Sequence, residues 1–210
     1  MRQRRPKDLK KRLMECSENI IETPVSSKWR EYFGNDNPIF LEIGCGKGNF
    51  IVKKAIENPN GNFIAIEGQD TVILRALEKA KAAETQNLRF VMAFLNNMSD
   101  MFEENQLDGI YLNFSDPWPK ARHAKRRLTY RERLFDYKWA VKPGGFAEIK
   151  TDNDGLYEFT LKEIKALGYD IVEQTENLHE SEYESKYTTT EYEEKFRNSG
   201  KNINYVKIMF

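Results

Sequence analysis

Cysteine and histidine are scarce: Cys16, Cys45, His123 and His179 are the full set. Their spacing writes neither a disulfide framework nor a Cys/His metal site, so no metal is expected. No apolar run approaches the ~18 residues that a membrane span needs. The N-terminus is basic with no apolar stretch behind it. Together these predict no membrane span, no signal peptide and a cytoplasmic protein. Internal repeats and low-complexity linkers are missing as well. Net charge is also absent, since 33 Lys and Arg balance 33 Asp and Glu. What is present is 40% hydrophobic and 31% charged content over 210 residues, enough for one globular domain with a sizeable core.

Zero net charge hides an uneven distribution. Residues 1–12 carry Arg2, Arg4, Arg5, Lys7, Lys10, Lys11 and Arg12 against Asp8 alone. Residues 170–194 carry nine acidic side chains against Lys186. A third cluster, Lys120, Arg122, His123, Lys125, Arg126 and Arg127, lies mid-chain. A basic arm and a basic loop are the footprint of a protein that grips a phosphate backbone.

Hydrophobic runs alternate with helical patterns. Strands are expected at 38–43, 62–66, 88–92, 109–114, 146–150, 169–173 and 203–210. Helices are expected at 27–33, from 49 to about 57, 71–83, 128–139 and 156–167, with a short one near 99–104. Residues 142–145, KPGG, read as a tight turn. This is an α/β pattern with a mostly parallel sheet and helices on both faces. No full helix separates the last two strands, so the seventh can enter antiparallel. The expected division is a basic arm, 1–27, and a single domain, 28–210.

The first strand runs into EIGCGKGN, residues 42–49. Glycines let the backbone turn tightly and approach a ligand. G-x-G-x-x-G fails because Asn49 holds the sixth position, and the P-loop pattern is absent. An acid two places before G-x-G-x-G suits a cofactor with a cationic amine and no pyrophosphate, the methionyl end of S-adenosylmethionine. Glu42, Gly44 and Gly46 are therefore candidate cofactor residues. Glu67, at the end of the second strand, is placed to accept from two ribose hydroxyls. The alternative is a glycine turn that serves packing alone. After the third strand, Asn96 or Asn97 either meets the adenine or caps the helix near Ser99.

Asp116 and Asp152 fall at the C-terminal ends of the fourth and fifth strands, where open α/β sheets bind ligands. Pro117 and Pro119 stiffen the loop after Asp116. Trp118 either stacks on a base or packs. There is no cysteine at a strand end to attack a pyrimidine ring. Guanine N7, by contrast, carries an exposed lone pair and needs no general base. It needs orientation and compensation for the charge that grows on the purine. Asp116, Asp152 and Glu193 are the candidate carboxylates for that task, Asp152 having a helix cap as its alternative.

The blocks GCGKG (44–48), NFSDPWPKARHAKRRLT (113–129), KTDN (150–153) and TEYEEKF (190–196) resemble those of the bacterial tRNA (guanine-N7)-methyltransferases. The likeness runs from about residue 28 to the end. It implies a class I S-adenosylmethionine-dependent fold, Rossmann-like, with an antiparallel last strand. It implies methylation of the variable-loop guanosine, position 46 of tRNA, by a monomer or homodimer. By that resemblance Glu42, Glu67 and Asp116 belong to the cofactor site, with Asp116 catalytic. Lys120, Asp152, Thr190, Glu191, Tyr192 and Glu193 contact the substrate. Arg122, His123, Lys125, Arg126 and Arg127 contact RNA. The acid usual after the third strand aligns at or near Phe94, with Asn96 close by as the adenine candidate. The competing readings are a methyltransferase for another RNA or a small molecule, and an RNA-binding protein without catalysis.

Overall fold

The computed structural model describes residues 6–184, 187–189, 193 and 201–210. Thr190, Glu191 and Tyr192 lie outside the described residues. Seven strands form one sheet: β1 (Ile39–Ile43), β2 (Asn62–Ile66), β3 (Leu88–Val91), β4 (Leu107–Asn113), β5 (Val141–Thr151), β6 (Asp170–Thr175) and β7 (Asn204–Met209). Their spatial order is β3-β2-β1-β4-β5-β7-β6. Strands β1 to β5 pair in parallel, and β7 runs antiparallel to both β5 and β6. Parallel strands are covered on both faces, which is why β1 and β2 are almost wholly buried despite their short length.

Among the described residues six helices flank the sheet: α1 (Leu9–Met14), α2 (Trp29–Phe33), α3 (Asn49–Glu57), α4 (Asp70–Ala82), α5 (Arg131–Ala140) and α6 (Asp154–Leu167). One core joins residues of α2, α5 and α6 to Leu41, Ile64, Ile110, Leu112 and Ile149. The opposite core joins α3 and α4 to Phe63, Ala65, Phe90 and Tyr111. In α4 the apolar Ile73, Leu74, Leu77 and Ala80 recur at helical spacing and are all buried. Helix α2 ends at Gly34 (φ 70°) and α6 at Gly168 (φ 67°), where the left-handed backbone closes each helix. Trp29 is fully buried, its indole N–H donating to the Met101 carbonyl at 2.7 Å.

Three local expectations are corrected. Residues 142–145 are not a free turn but belong to β5, whose pairing with β4 shifts register between Leu107 and Gly109. Pro and Gly there mark an irregular strand, and the Gly144 N–H donates to the Phe210 carbonyl at 2.9 Å. Helix α5 begins at Arg131 rather than 128, because a separate 3-10 segment, Ala121–Arg126, precedes it. Near Ser99 only the 3-10 turn Met98–Asp100 forms. Within the stretch expected as a basic arm, Arg12 and Ile21 contact the rest of the domain. Arg12 pairs with Glu78 of α4, and the Ile21 N–H donates to the Phe90 carbonyl at 2.9 Å.

Candidate active site

Strand β1 delivers Glu42 to the C-terminal edge of the sheet, 2% exposed. Its Oε1 accepts from Asn113 Nδ2, at the end of β4, at 2.8 Å. Its Oε2 is buried and has no hydrogen-bond partner among the described residues. Burial pushes the Glu42 carboxyl up to about 7, opposed by the Asn113 hydrogen bond and the Lys150 charge and reinforced by Glu67. A buried acceptor left open is what a bound amine would satisfy.

The loop after β1 adopts left-handed backbone at Gly44, Gly46 and Gly48, with φ of 77°, 58° and 76°. A Cβ at Gly44 or Gly46 would meet nothing within 4 Å, so the loop borders open space there. A Cβ at Gly48 would lie 2.5 Å from the Ala76 Cβ, so Gly48 serves the approach of α3 to α4. The Gly44 and Cys45 N–H groups donate to the Ile66 carbonyl at 2.8 and 3.0 Å. That ties the loop to the end of β2, one residue before Glu67. The Glu67 carboxylate accepts from the Gly46 N–H at 3.2 Å and the Gln69 N–H at 2.9 Å. Each oxygen keeps a lone pair for a further donor. A cationic amine at Glu42 and ribose hydroxyls at Glu67 fit this pocket.

Beyond β3, Phe94 is 72% exposed and its ring occupies the space a side chain at Gly68 would need. Asn96 is exposed, and its carbonyl accepts from Arg133. Asn97 forms a reciprocal cap with Asp100, which bears out the capping alternative for that residue.

Asp116 follows β4 on a loop held in unusual backbone. Phe114 (φ 51°) and Trp118 (φ 40°) both sit in the left-handed region that non-glycine residues rarely adopt. Asp116 is exposed between them. Arg127 braces the loop: its Nε donates to the Pro117 carbonyl and its Nη2 to the Trp118 carbonyl, both at 3.0 Å. Its guanidinium also lies 4.2 Å from the Phe159 ring centroid. Trp118 itself meets His123 edge to face at 5.7 Å and lies under Arg126 at 4.8 Å. Arg122 and Lys125 are exposed, as is Lys120; Lys125 pairs with Glu132 at 3.2 Å. Of the run read as phosphate-binding, Arg127 is thus engaged with its own loop.

Asp152, after β5, accepts from Lys201 at 3.1 Å, while Asn153 caps α6 through the Leu156 N–H at 2.8 Å. The helix cap is therefore Asn153, not Asp152. Glu193 is 1% exposed, with both oxygens on the Lys150 ammonium at 3.0 and 3.3 Å. Lys150 and Asn113 were not singled out from the sequence. Their signal was position: they are register partners at the ends of neighbouring strands.

A glycine loop after β1, an acid at the end of β2 and this strand order define a class I S-adenosylmethionine-dependent methyltransferase. Residues 36–206 match the family model described as "Putative methyltransferase". A tRNA (guanine-N(7)-)-methyltransferase of Lachnoclostridium phytofermentans is 47% identical over 176 residues, 84% of this chain and 82% of that protein. One from Streptococcus pyogenes serotype M18 is 41% identical over 212 residues, covering 100% of both chains. Among solved structures, an S-adenosylmethionine-dependent methyltransferase from Aquifex aeolicus has a TM-score of 0.57 at 16% identity, covering 99% of both chains. The chain belongs to the tRNA (guanine-N7)-methyltransferase family.

Proposed function

We infer that the chain transfers a methyl group from S-adenosylmethionine to N7 of guanosine in tRNA, at variable-loop position 46. The observation that carries this is the pairing of a cofactor pocket, with the open Glu42 acceptor, and an exposed acid-plus-cation loop at the same sheet edge. Relatives at 41% and 47% identity are named for guanine-N7 methylation of tRNA.

When bound, S-adenosylmethionine would supply a sulfonium methyl to the N7 lone pair and leave as the neutral thioether, so the positive charge would pass to the purine. No proton need leave N7, so the chain's task is orientation and charge compensation. Glu42 would take the cofactor's amine, Glu67 its ribose, and the exposed Phe94 ring would offer a face to adenine. Asp116 would orient the guanine, with Asp152 beside it. Arg122, Lys125 and Arg126 would meet phosphates, joined by the basic residues before Asp8. Lys120 and residues 190–193 complete the substrate side. The setting is the cytoplasm, where tRNA is found. Among the described residues no helix is long and apolar enough to cross a membrane and no cluster could hold a metal ion.

The test is methyl transfer from labelled S-adenosylmethionine to unmodified tRNA, with the nucleoside identified by mass spectrometry. 7-Methylguanosine is expected, and it should vanish when the variable-loop guanosine is replaced. Another methylated product would remove the assignment. Asp116→Ala should lower turnover at least ~100-fold, the loss typical of an orienting or charge-compensating group. Near-normal turnover would take Asp116 out of the reaction.

A further inference from the structure

Lys150 is a fully buried lysine at the C-terminal end of β5, its side chain 1% exposed. A buried ammonium is costly unless it is paired and hydrogen-bonded. Here it has the Glu193 carboxylate and the Thr188 carbonyl, the latter at 3.1 Å. The rings of Phe50 and Tyr187 lie 5.8 and 5.6 Å from the ammonium. Thr188 is tied in turn to α3, its hydroxyl donating to Glu57 at 2.7 Å. Across the sheet, Lys150 pairs in register with Asn113, which donates to Glu42. One cation therefore stands between the segment that carries Glu193 and the wall that carries Glu42.

We propose that Lys150 is a positioning residue for methyl transfer: it latches the Thr188 and Glu193 segment onto β5 and sets its charge beside the Asn113–Glu42 pair. The proposal rests on the tRNA methyltransferase reading above. Glu193, with both oxygens on the ammonium, anchors its segment on the substrate side of the site. The cation also biases Glu42 toward its ionised form, against Glu67 at the end of β2; Cys45 and Tyr111 are the other titratable groups facing Glu42. On the Lys150 side, the charges that feel it include Glu148 of its own strand and Lys54 of α3.

The experiment compares wild type, Lys150→Met, Glu193→Gln and the Lys150→Met, Glu193→Leu double variant. Two quantities are measured: kcat/KM for tRNA, and S-adenosylmethionine affinity from pH 5.5 to 9. Each single variant should lower kcat/KM for tRNA about tenfold or more. The double variant should be no worse than the poorer single one, because paired groups act as a unit. The pH below which cofactor affinity falls should move upward in Lys150→Met and in the double variant, but not in Glu193→Gln. A loss of packing alone would not move that pH. Should Lys150→Met fail to fold, the double variant, which leaves no lone buried charge, carries the same pH comparison. Unchanged pH profiles in both variants that lack Lys150, or single effects that multiply in the double variant, would overturn the proposal. Wild-type protein that binds cofactor yet makes no 7-methylguanosine would instead sink the functional reading, leaving the pH comparison to judge Lys150.

Discussion

Glu42 is a carboxylate whose protonation opposes its own use. Without ligand, burial holds it up to about 7 against an ordinary 4.5. The native state then binds more protons than the unfolded chain between those values. The group's contribution to stability is full below pH 4.5 and is lost as pH rises through 7. In Glu42→Gln this loss should disappear. Urea denaturation of cofactor-free protein across that range should show the stability difference between variant and wild type changing by up to ~3 kcal/mol. Parallel curves would mean that water or a neighbour already solvates the carboxylate. Cofactor binding has the opposite slope, since the ligand's amine needs the ionised form.

At the scale of elements, the three left-handed glycines of the loop after β1 divide by their surroundings. Gly44 faces open space and Gly48 faces Ala76. Gly48→Ala must part α3 from α4, so it should cost about 1–3 kcal/mol in thermal or urea unfolding. Gly44→Ala carries only backbone strain, about 1–2 kcal/mol, but should weaken cofactor affinity more than Gly48→Ala does. The reverse ranking in calorimetry would move the cofactor away from Gly44. The parallel strands, their terminal acids and the glycine loop were readable because each is a local signal: an apolar run, a turn residue, a carboxylate at the boundary. What was not readable depends on pairing. KPGG reads as a turn, yet it is the bulge of β5 between Val141 and Phe146, with its glycines bonded to the Phe210 backbone. Lys150 has its carboxylate partner 43 residues downstream, and nothing local announces a buried ion pair at that distance. Arg127 looks like its neighbours in sequence, and only the carbonyls of Pro117 and Trp118 set it apart.

For the whole molecule, a chain of zero formal charge must hold RNA through local fields rather than net attraction. Binding to tRNA should therefore weaken steeply with salt. Arg122→Ala combined with Arg126→Ala should flatten the slope of log K against log salt by about one to two units. Arg127→Ala should leave that slope unchanged while reducing turnover, because it releases the Asp116 loop rather than a phosphate. A slope change in Arg127→Ala would return that residue to the RNA surface.

Strand β7 lies between β5 and β6 although it follows both in the chain. β6 thus joins the sheet only through β7, and the stretch that carries Thr188 and Glu193 lies between those two strands in sequence. During synthesis, the first five strands can assemble while β6 has nothing to pair with. Residues 204–209 close the sheet, and only then are both ends of the latch segment held. The latch through Thr188 and Glu193 is therefore the last piece of the substrate side to be held at both ends, so methyl transfer depends on completed folding in a way that cofactor binding does not.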